Sequence, residues 1–162
     1  MRSKLIAAIV VVLSATTAVL AQTKFSGSLQ CKLGEQHALE VGDRPGHSLM
    51  VYKATCTSPK PMEIAGTQTT EAILTGSNEF SGTKFREHGY AVFTWANGDK
   101  SNASFQGSGT VTDGVVAEEG TSNFTGGTGK LKGIKGKGTF KGKGAADGST
   151  TFEVEGEYEL PK

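Results

Sequence analysis

The sequence predicts an all-β fold, a closed antiparallel barrel of about eight strands that follows a cleaved signal peptide. After the N-terminal segment, no stretch shows the 3.6-residue hydrophobic periodicity of an amphipathic helix. Glycine supplies 23 of the 162 residues, which favours tight turns and strands over helices. Asn97-Gly98, Asp113-Gly114 and Asp147-Gly148 lie between runs of alternating polarity. Such dipeptides are the strongest short-range signals of β-hairpins.

Residues 1–21 have the pattern of a secretory signal peptide. Arg2 and Lys4 give a positive start, and an unbroken apolar run follows over residues 5–13. This run is shorter than the roughly 20 residues that a helix needs to span a bilayer. We therefore interpret the segment as a signal peptide and expect no membrane anchor in the mature chain.

The mature chain is expected to begin directly after Ala21. Val19 and Ala21 place compact side chains at the two positions that a signal peptidase reads. Residues 22–162 then form one β-barrel domain of a secreted or periplasmic protein. The chain has 17 basic and 16 acidic residues, and the loss of Arg2 and Lys4 leaves a net charge of −1. A nearly neutral protein is not suited to bind nucleic acid by bulk charge.

Short runs bounded by Gly, Asn, Asp or Pro predict the strands. They cover approximately residues 25–31, 37–41, 47–57, 63–75, 85–96, 101–112, 115–124, 135–143 and 150–160. Besides the three dipeptides above, turn signals lie at 42–46, 58–61 and 76–78. Strands joined by short turns must pair antiparallel. Eight or nine of them, with no helix to cover an open sheet, favour a closed barrel or a sandwich.

The last two strand runs carry complementary charges. Lysines occupy alternate positions of the first run, and glutamates occupy alternate positions of the second. Folding the chain about Asp147 predicts the pairs Lys135–Glu159, Lys137–Glu157, Thr139–Glu155 and Lys141–Glu153, and a register two residues away also opposes lysine to glutamate. Opposite charges across strands contribute roughly 0.2–1 kcal/mol each. The lysines are therefore interpreted as the outer face of a hairpin and not as a nucleic-acid patch.

The inner face of this hairpin is rich in glycine. Gly136, Gly138 and Gly142 alternate with the lysines, and Phe140 stands between them. Strand glycines either mark curvature or leave room inside a barrel for a ligand. Both interpretations stay open. The aromatic residues expected to face inward are Phe105, Phe140, Phe152 and Tyr158.

Cys31 and Cys56 lie at mirror positions about the turn at 42–46. Mirror positions of a hairpin face each other with Cβ atoms about 4.5–5.5 Å apart. Export would permit a disulfide between them. We expect this bond if the two segments pair, with two free buried thiols as the alternative.

The stretch from Phe124 to Gly138 resembles the glycine-rich segment that allene oxide cyclases and dirigent proteins share. The matching residues are Gly126, Gly127, Thr128, Gly129, Lys130, Leu131, Gly133 and Gly136. The mature chain as a whole also resembles exported bacterial proteins with an allene oxide cyclase-like barrel, and the segment Glu40–His47 contributes to this resemblance. The resemblance implies an eight-stranded antiparallel barrel with a largely apolar cavity. It also implies self-association into homo-oligomers, because cyclases of that family form trimers.

Five polar side chains within strand runs are the candidate ligand-binding residues. Arg86, His88 and Tyr90 share one face of their run, where a cation, an imidazole and a phenol could bind a carboxylate or supply acid–base chemistry. Glu63 and Glu71 are eight residues apart on one face of another run. The open alternative is that all five face solvent, because the face opposite Arg86 is more apolar.

No metal site or cofactor is expected. The three histidines, His37, His47 and His88, have a spacing that matches no ligand motif. The matched segment is not the one that carries the catalytic residues of the resembled cyclases, so no catalytic residue is assigned.

Three functions remain open at this point. The first is a secreted barrel that binds a small, mainly apolar ligand. The second is a cyclase or isomerase of the allene oxide cyclase-like type. The third is an interaction module with a filled barrel, for which Leu49 and Val51 offer an apolar outer face opposite Met50 and Tyr52.

Overall fold

A computed structural model describes residues 22–145 and 147–161 and shows a closed antiparallel barrel of eight strands. The all-β barrel predicted from the sequence is confirmed, and the predicted signal peptide lies outside the described residues. The strands are β1 (Thr23–Glu40), β2 (His47–Lys60), β3 (Glu63–Ile64), β4 (Thr67–Ser81), β5 (Lys84–Trp95), β6 (Lys100–Thr112), β7 (Val115–Gly127), β8 (Lys135–Gly144) and β9 (Ser149–Glu159). A short 3-10 helix spans Gly129–Leu131.

The barrel closes through pairings that the chain order alone does not supply. β4 to β9 pair in sequence, β9 pairs with β1, and β1 pairs with β2. The ring is completed by β2 against β4, from His47 opposite Ser81 to Thr57 opposite Glu71. β3 is a two-residue strand that pairs with β4 outside this ring. Of the helices in the part of the chain that the structure describes, none is long and apolar enough to cross a membrane.

The register of the last hairpin is the one that its charges predict. Lys135 pairs with Glu159, Lys137 with Glu157, Thr139 with Glu155 and Lys141 with Glu153. Lys137 Nζ lies 3.3 Å from Glu157 Oε1. The lysines are exposed, whereas Gly138, Phe140 and Gly142 are buried. Alternation of charge with glycine therefore fixes which face of this hairpin looks into the barrel.

Two predicted strand boundaries are wrong. The runs at 25–31 and 37–41 are joined in the single strand β1, which ends at Glu40 and whose pairing with β2 is irregular between Leu33 and Gln36. The run at 63–75 is broken by a tight turn in which Ala65 has a φ of 54° and Gly66 a φ of 73°.

The predicted turn at 76–78 is also wrong, because β4 continues through it to Ser81. Gly76 lies opposite Tyr52 of β2, and the Tyr52 side chain crosses it. A methyl group on Gly76 would lie 2.9 Å from the Tyr52 hydroxyl oxygen. This glycine serves close packing inside a strand and not a change of chain direction.

The barrel end that carries the β5–β6 turn is filled by apolar side chains from the connections. Met62 and Ile64 enter from the β2–β4 connection, and Leu131 and Ile134 enter from the β7–β8 connection; all four are almost fully buried. Trp95 is buried beside them, and its indole N–H donates a hydrogen bond of 3.0 Å to Ser101 Oγ. The remaining void at mid-barrel is about 50 Å³.

The glycine-rich stretch that carries the family resemblance holds the β5–β6 turn in place. The Lys130 amide donates to Asp99 Oδ2 at 3.0 Å, and Thr128 Oγ1 accepts from the Lys100 amide at 2.8 Å. Gly129 has a φ of 53°, and a methyl group there would overlap the Asp99 carboxylate. The matched residues thus have a structural role at the filled end of the barrel.

The opposite rim of the barrel is uneven. β9 pairs with β1 only as far as Lys32, whereas β1 continues to Glu40 with β2 as its neighbour. Residues 33–40 are exposed along their whole length. The wall formed by β1 and β2 therefore extends past the β8–β9 turn.

Cys31 and Cys56 form the predicted disulfide across the β1–β2 ladder. Both residues are buried, with 24 residues between them along the chain. Apart from this bond, only the loop at 41–46 links the two strands covalently. A covalent link at this point limits the conformations of the unfolded chain.

We expect replacement of both cysteines by alanine to lower the free energy of unfolding by roughly 3–4 kcal/mol, the loss of chain constraint for a loop of this length. Urea unfolding of the oxidised protein and of the double variant measures this difference. Reduction of the wild-type protein should produce a similar loss and should leave the variant unchanged. Equal stability of the oxidised and reduced wild-type protein would contradict the prediction.

Candidate ligand-binding cavity

The five candidate residues from the sequence do not reach the interior of the barrel. Glu63, Glu71, Arg86, His88 and Tyr90 are all exposed to solvent, and Tyr90 retains 67 % of its accessible surface. On β5 the even-numbered positions point outward, so three of these side chains share an outer surface. The turn between β3 and β4 separates the two glutamates. The structure therefore brings none of these side chains to the interior.

An interior cavity of about 180 Å³ lies at the barrel end opposite the filled one. This end carries the β4–β5, β6–β7 and β8–β9 turns. Most of its lining is apolar, including Met50, Ala54, Leu74, Phe80, Phe85 and Phe152. The glycines that face inward do not leave the whole interior of the barrel empty, since aromatic rings occupy the space over several of them. The cavity is the part of the interior that these rings leave open.

Two glutamates face each other on one wall of this cavity. Glu87 of β5 and Glu118 of β7 line it, and their carboxyl groups are hydrogen-bonded to each other. Their strands are separated by β6, where Gly107 lies opposite Glu87 and Gly109 lies opposite Glu118. A methyl group on Gly109 would lie 2.7 Å from Glu118 Cβ, and one on Gly107 would lie 3.1 Å from Glu87 Oε1. The two glycines therefore make room for the acid pair.

Tyr52 and Asn78 also contribute polar groups to the cavity wall. The Tyr52 hydroxyl donates a hydrogen bond of 3.2 Å to Glu87 Oε2, and it reaches that atom by crossing Gly76. Asn78 lies directly opposite Glu87 in the β4–β5 ladder and retains 9 % of its accessible surface. Its side-chain oxygen Oδ1 is buried and accepts no hydrogen bond. One buried acceptor is thus left without a donor beside the acid pair.

Burial sets the protonation of the acid pair. The pKa of Glu118 is raised to about 9, mainly by removal from water and in addition by the neighbouring charge of Glu87. Burial also raises the pKa of Glu87, while hydrogen bonds from Glu118 and Tyr52 oppose this increase. The pKa of Tyr52 is raised by burial and by the Glu87 charge. Glu118 therefore holds a proton at neutral pH, and Glu87 is the member of the pair that ionises first.

The sequence contains a signal for Glu87 that the five candidate site residues do not include. Alternation places Glu87 on the same face as Phe85, Ala91 and Phe93, which is the apolar face of its strand. A charged residue on a buried face is rare without a partner, and Glu87 retains only 7 % of its accessible surface. Glu118 had a weaker signal, because the residues that share its face are less consistently apolar.

A second polar cluster lies at the β1–β2 turn. His47 Nδ1 is 2.5 Å from Asp43 Oδ1, and His47 Nε2 is 3.1 Å from Glu79 Oε1. Hydrogen bonds to Asp43 and then Glu79 raise the pKa of His47, and the bond to His47 lowers the pKa of Asp43. This cluster connects the turn to β4. Across residues 22–145 and 147–161, no group of three or more His, Cys, Asp or Glu side chains could hold a metal ion.

Comparison with known proteins supports the fold and leaves the function open. No protein-family model matches this chain, and no curated protein matches it. Among solved structures, the pterocarpan synthase dirigent protein GePTS1 superimposes with a TM-score of 0.50 at 12 % sequence identity. The alignment covers 96 % of this chain and 100 % of that one. At this identity the likeness shows a dirigent-like barrel, so the resemblance found in the sequence is confirmed for the fold.

We expect Glu118→Gln to make the protein more stable at neutral pH. A carboxyl with a pKa of about 9 in the folded state and an ordinary value of 4.5 loses stability as pH rises between these values, because the folded state holds the extra proton. At 1.36 kcal/mol per unit the cost at pH 7 is roughly 3 kcal/mol. Glutamine keeps the size of the side chain and an N–H donor toward Glu87.

Urea unfolding at pH 4.5, 7 and 8.5 measures this effect. The stability gain of the variant should be absent at pH 4.5 and should grow with pH. Glu119→Gln is the matched control, since Glu119 is the adjacent, exposed glutamate of β7. A gain that does not depend on pH, or one that the control reproduces, would contradict the raised pKa of Glu118 as its cause.

Proposed function

We propose that this protein binds a small, mainly apolar molecule in the cavity at the open end of its barrel. The observation that carries the proposal is the combination of apolar walls with a single polar cluster inside one cavity. Ligand sites typically have this composition, in which the apolar surface provides affinity and a few polar groups fix orientation. The dirigent-like fold is consistent with such a role.

The volume of the cavity limits the size of its ligand. Sites for drug-sized molecules occupy about 300–1,000 Å³, whereas this cavity measures about 180 Å³. A single aromatic ring or a short branched chain with one polar group suits this space. The polar group would lie toward Glu87 and Asn78, and the apolar body would pack against Phe80, Phe85 and Phe152.

A second candidate function, a cyclase or isomerase reaction, is favoured by the protonation of Glu118. A carboxyl group that keeps its proton at neutral pH can act as a general acid, with the adjacent carboxylate as the base. The similar structure GePTS1 is named a synthase. Any molecule found to bind can be tested for conversion, and Glu118→Gln should then abolish turnover while binding persists.

Export from the cell is part of the proposal. The Cys31–Cys56 disulfide supports it, because structural disulfides persist mainly in oxidising compartments. The positive start and the short apolar run of residues 1–21 support it as well. The protein recovered from a periplasmic extract or from culture medium should begin at Gln22. Recovery in the cytosol with Met1 retained would overturn this part of the proposal.

We expect Met50→Trp to abolish binding in the cavity. Met50 lines it from β2, and an indole in its place would occupy most of the space that a ligand needs. The adjacent Val51 points away from the cavity and is 58 % exposed. Val51→Trp is therefore the matched control, with the same added bulk on the outer face of the same strand.

Benzyl alcohol is a suitable neutral probe, and chemical-shift titration by NMR locates where it binds. In the wild-type protein and in the control, saturable shifts should appear around Tyr52, Glu87 and Phe152. The Met50 variant should bind at least tenfold more weakly. Shifts confined to outer residues, or equal affinity in the two variants, would show that the cavity is not a binding site.

A further inference from the structure

We infer that the ligand of this cavity is an organic cation, a primary ammonium group carried on a compact apolar body. The inference rests on the proposed function and names the ligand class of the same cavity. Three features of the cavity support it: two carboxyl groups meet on its wall, a buried Asn78 oxygen lacks a partner, and the described residues that line it include no Lys, Arg or His.

The carboxyl groups of the cavity favour a ligand that donates hydrogen bonds. The Tyr52 hydroxyl already donates to Glu87 Oε2, so it is not free for a ligand. A ligand carboxylate or phosphate would lie against the carboxyl groups of Glu87 and Glu118, and like charges repel. The arrangement therefore disfavours ligand anions and favours ligands that donate.

Asn78 points to the same ligand chemistry independently of the two acids. Its Oδ1 atom is buried without a hydrogen-bond partner, and its residue lines the cavity opposite Glu87. Buried polar atoms are almost always hydrogen-bonded, and the exceptions call for an explanation. A donor on a ligand that contacts both Glu87 and Asn78 would satisfy this oxygen.

The acid pair has no cationic neighbour among the described residues that line the cavity. No Lys, Arg or His side chain of residues 22–145 and 147–161 lines it. The flanking Arg86 and His88 of β5 lie on the outer face of that strand. Buried charges are normally paired, so a cationic group on the ligand would be the partner that stabilises ionised Glu87.

The number of acceptors fits a primary ammonium. Such a group has three N–H donors, and the cavity offers oxygens of Glu87, Glu118 and Asn78 as acceptors. The apolar walls include the aromatic rings of Phe80, Phe85 and Phe152, which accommodate the body of the ligand. Aromatic rings also attract a nearby cation through their π faces.

Three probes of nearly equal shape test the inference: benzylamine, benzyl alcohol and benzoate. Isothermal titration calorimetry at pH 7 measures the affinity of each for the intact protein. We expect benzylamine, which is cationic at this pH, to bind at least tenfold more tightly than benzyl alcohol. Benzoate should show no binding. The same order should appear in the NMR shifts of residues around the cavity.

Glu87→Gln removes the charge and keeps the shape of the side chain. Benzylamine should then bind no more tightly than benzyl alcohol, while the affinity for the alcohol stays within twofold of the wild-type value. Asn78→Leu, a second variant at a different strand, should weaken benzylamine more than benzyl alcohol. Glu119→Gln removes an exposed charge from β7 and should leave all three affinities unchanged.

The outcomes separate the inference from the proposed function. If none of the probes binds in the cavity, the proposed function itself fails. If benzyl alcohol or benzoate binds as tightly as benzylamine, the cavity is a ligand site but the cationic class is wrong. Benzylamine affinity that survives Glu87→Gln, or that falls equally with Glu119→Gln, would show attraction to the surface and would overturn the inference.

Discussion

The limited space inside an eight-stranded barrel governs the rest of this structure. Such a barrel can hold its inward side chains or one small ligand, but not both along its full length. Glycine decides how the space is divided between neighbouring strands. Gly107 and Gly109 leave β6 without side chains, so Glu87 and Glu118 meet across it. The Phe140 ring lies over Gly107 on the side of the filled half. Because β6 has glycines at these positions, the inward side chains of β5 and β7 have room beside it.

Sequence periodicity was sufficient where one strand pairs with the next. The alternation of Lys137 and its neighbours with glycine, matched by glutamates, gave the register of β8 and β9, and the mirror positions of the cysteines gave the disulfide. Periodicity was insufficient for Gly76, whose role depends on Tyr52 in a strand far along the chain. Pairing between distant strands also determines the cavity. Glu87 was visible as a charge on an apolar face, but its partner Glu118 became evident only when β5, β6 and β7 were assembled.

A buried acid pair is difficult to explain as a device for stability. Removing two carboxyl groups from water costs free energy, and well-packed apolar residues of similar volume are often at least as stabilising. Here the cost is reduced because the pair retains a proton, and Tyr52 donates a further hydrogen bond. Strongly shifted carboxyl groups inside a cavity are more characteristic of binding and catalytic sites than of cores. The His47 cluster at the β1–β2 turn differs in this respect, because its hydrogen bonds favour the charged forms of His47 and Asp43.

The uneven rim has a consequence for which molecules can enter. On one side the mouth is bordered by residues 33–40 of β1, which have no strand neighbour beyond β2, and on the other side by the low β8–β9 turn at Gly148. The barrel wall limits the cross-section of a molecule that would enter. The side at the β8–β9 turn is lower, so a chain attached to that molecule could extend out of the cavity there. A chain emerging there would run alongside the free backbone N–H and C=O groups of residues 33–40. For the proposed ligand, the entrance therefore limits the width of the molecule more strictly than the length of any part that extends outside the cavity.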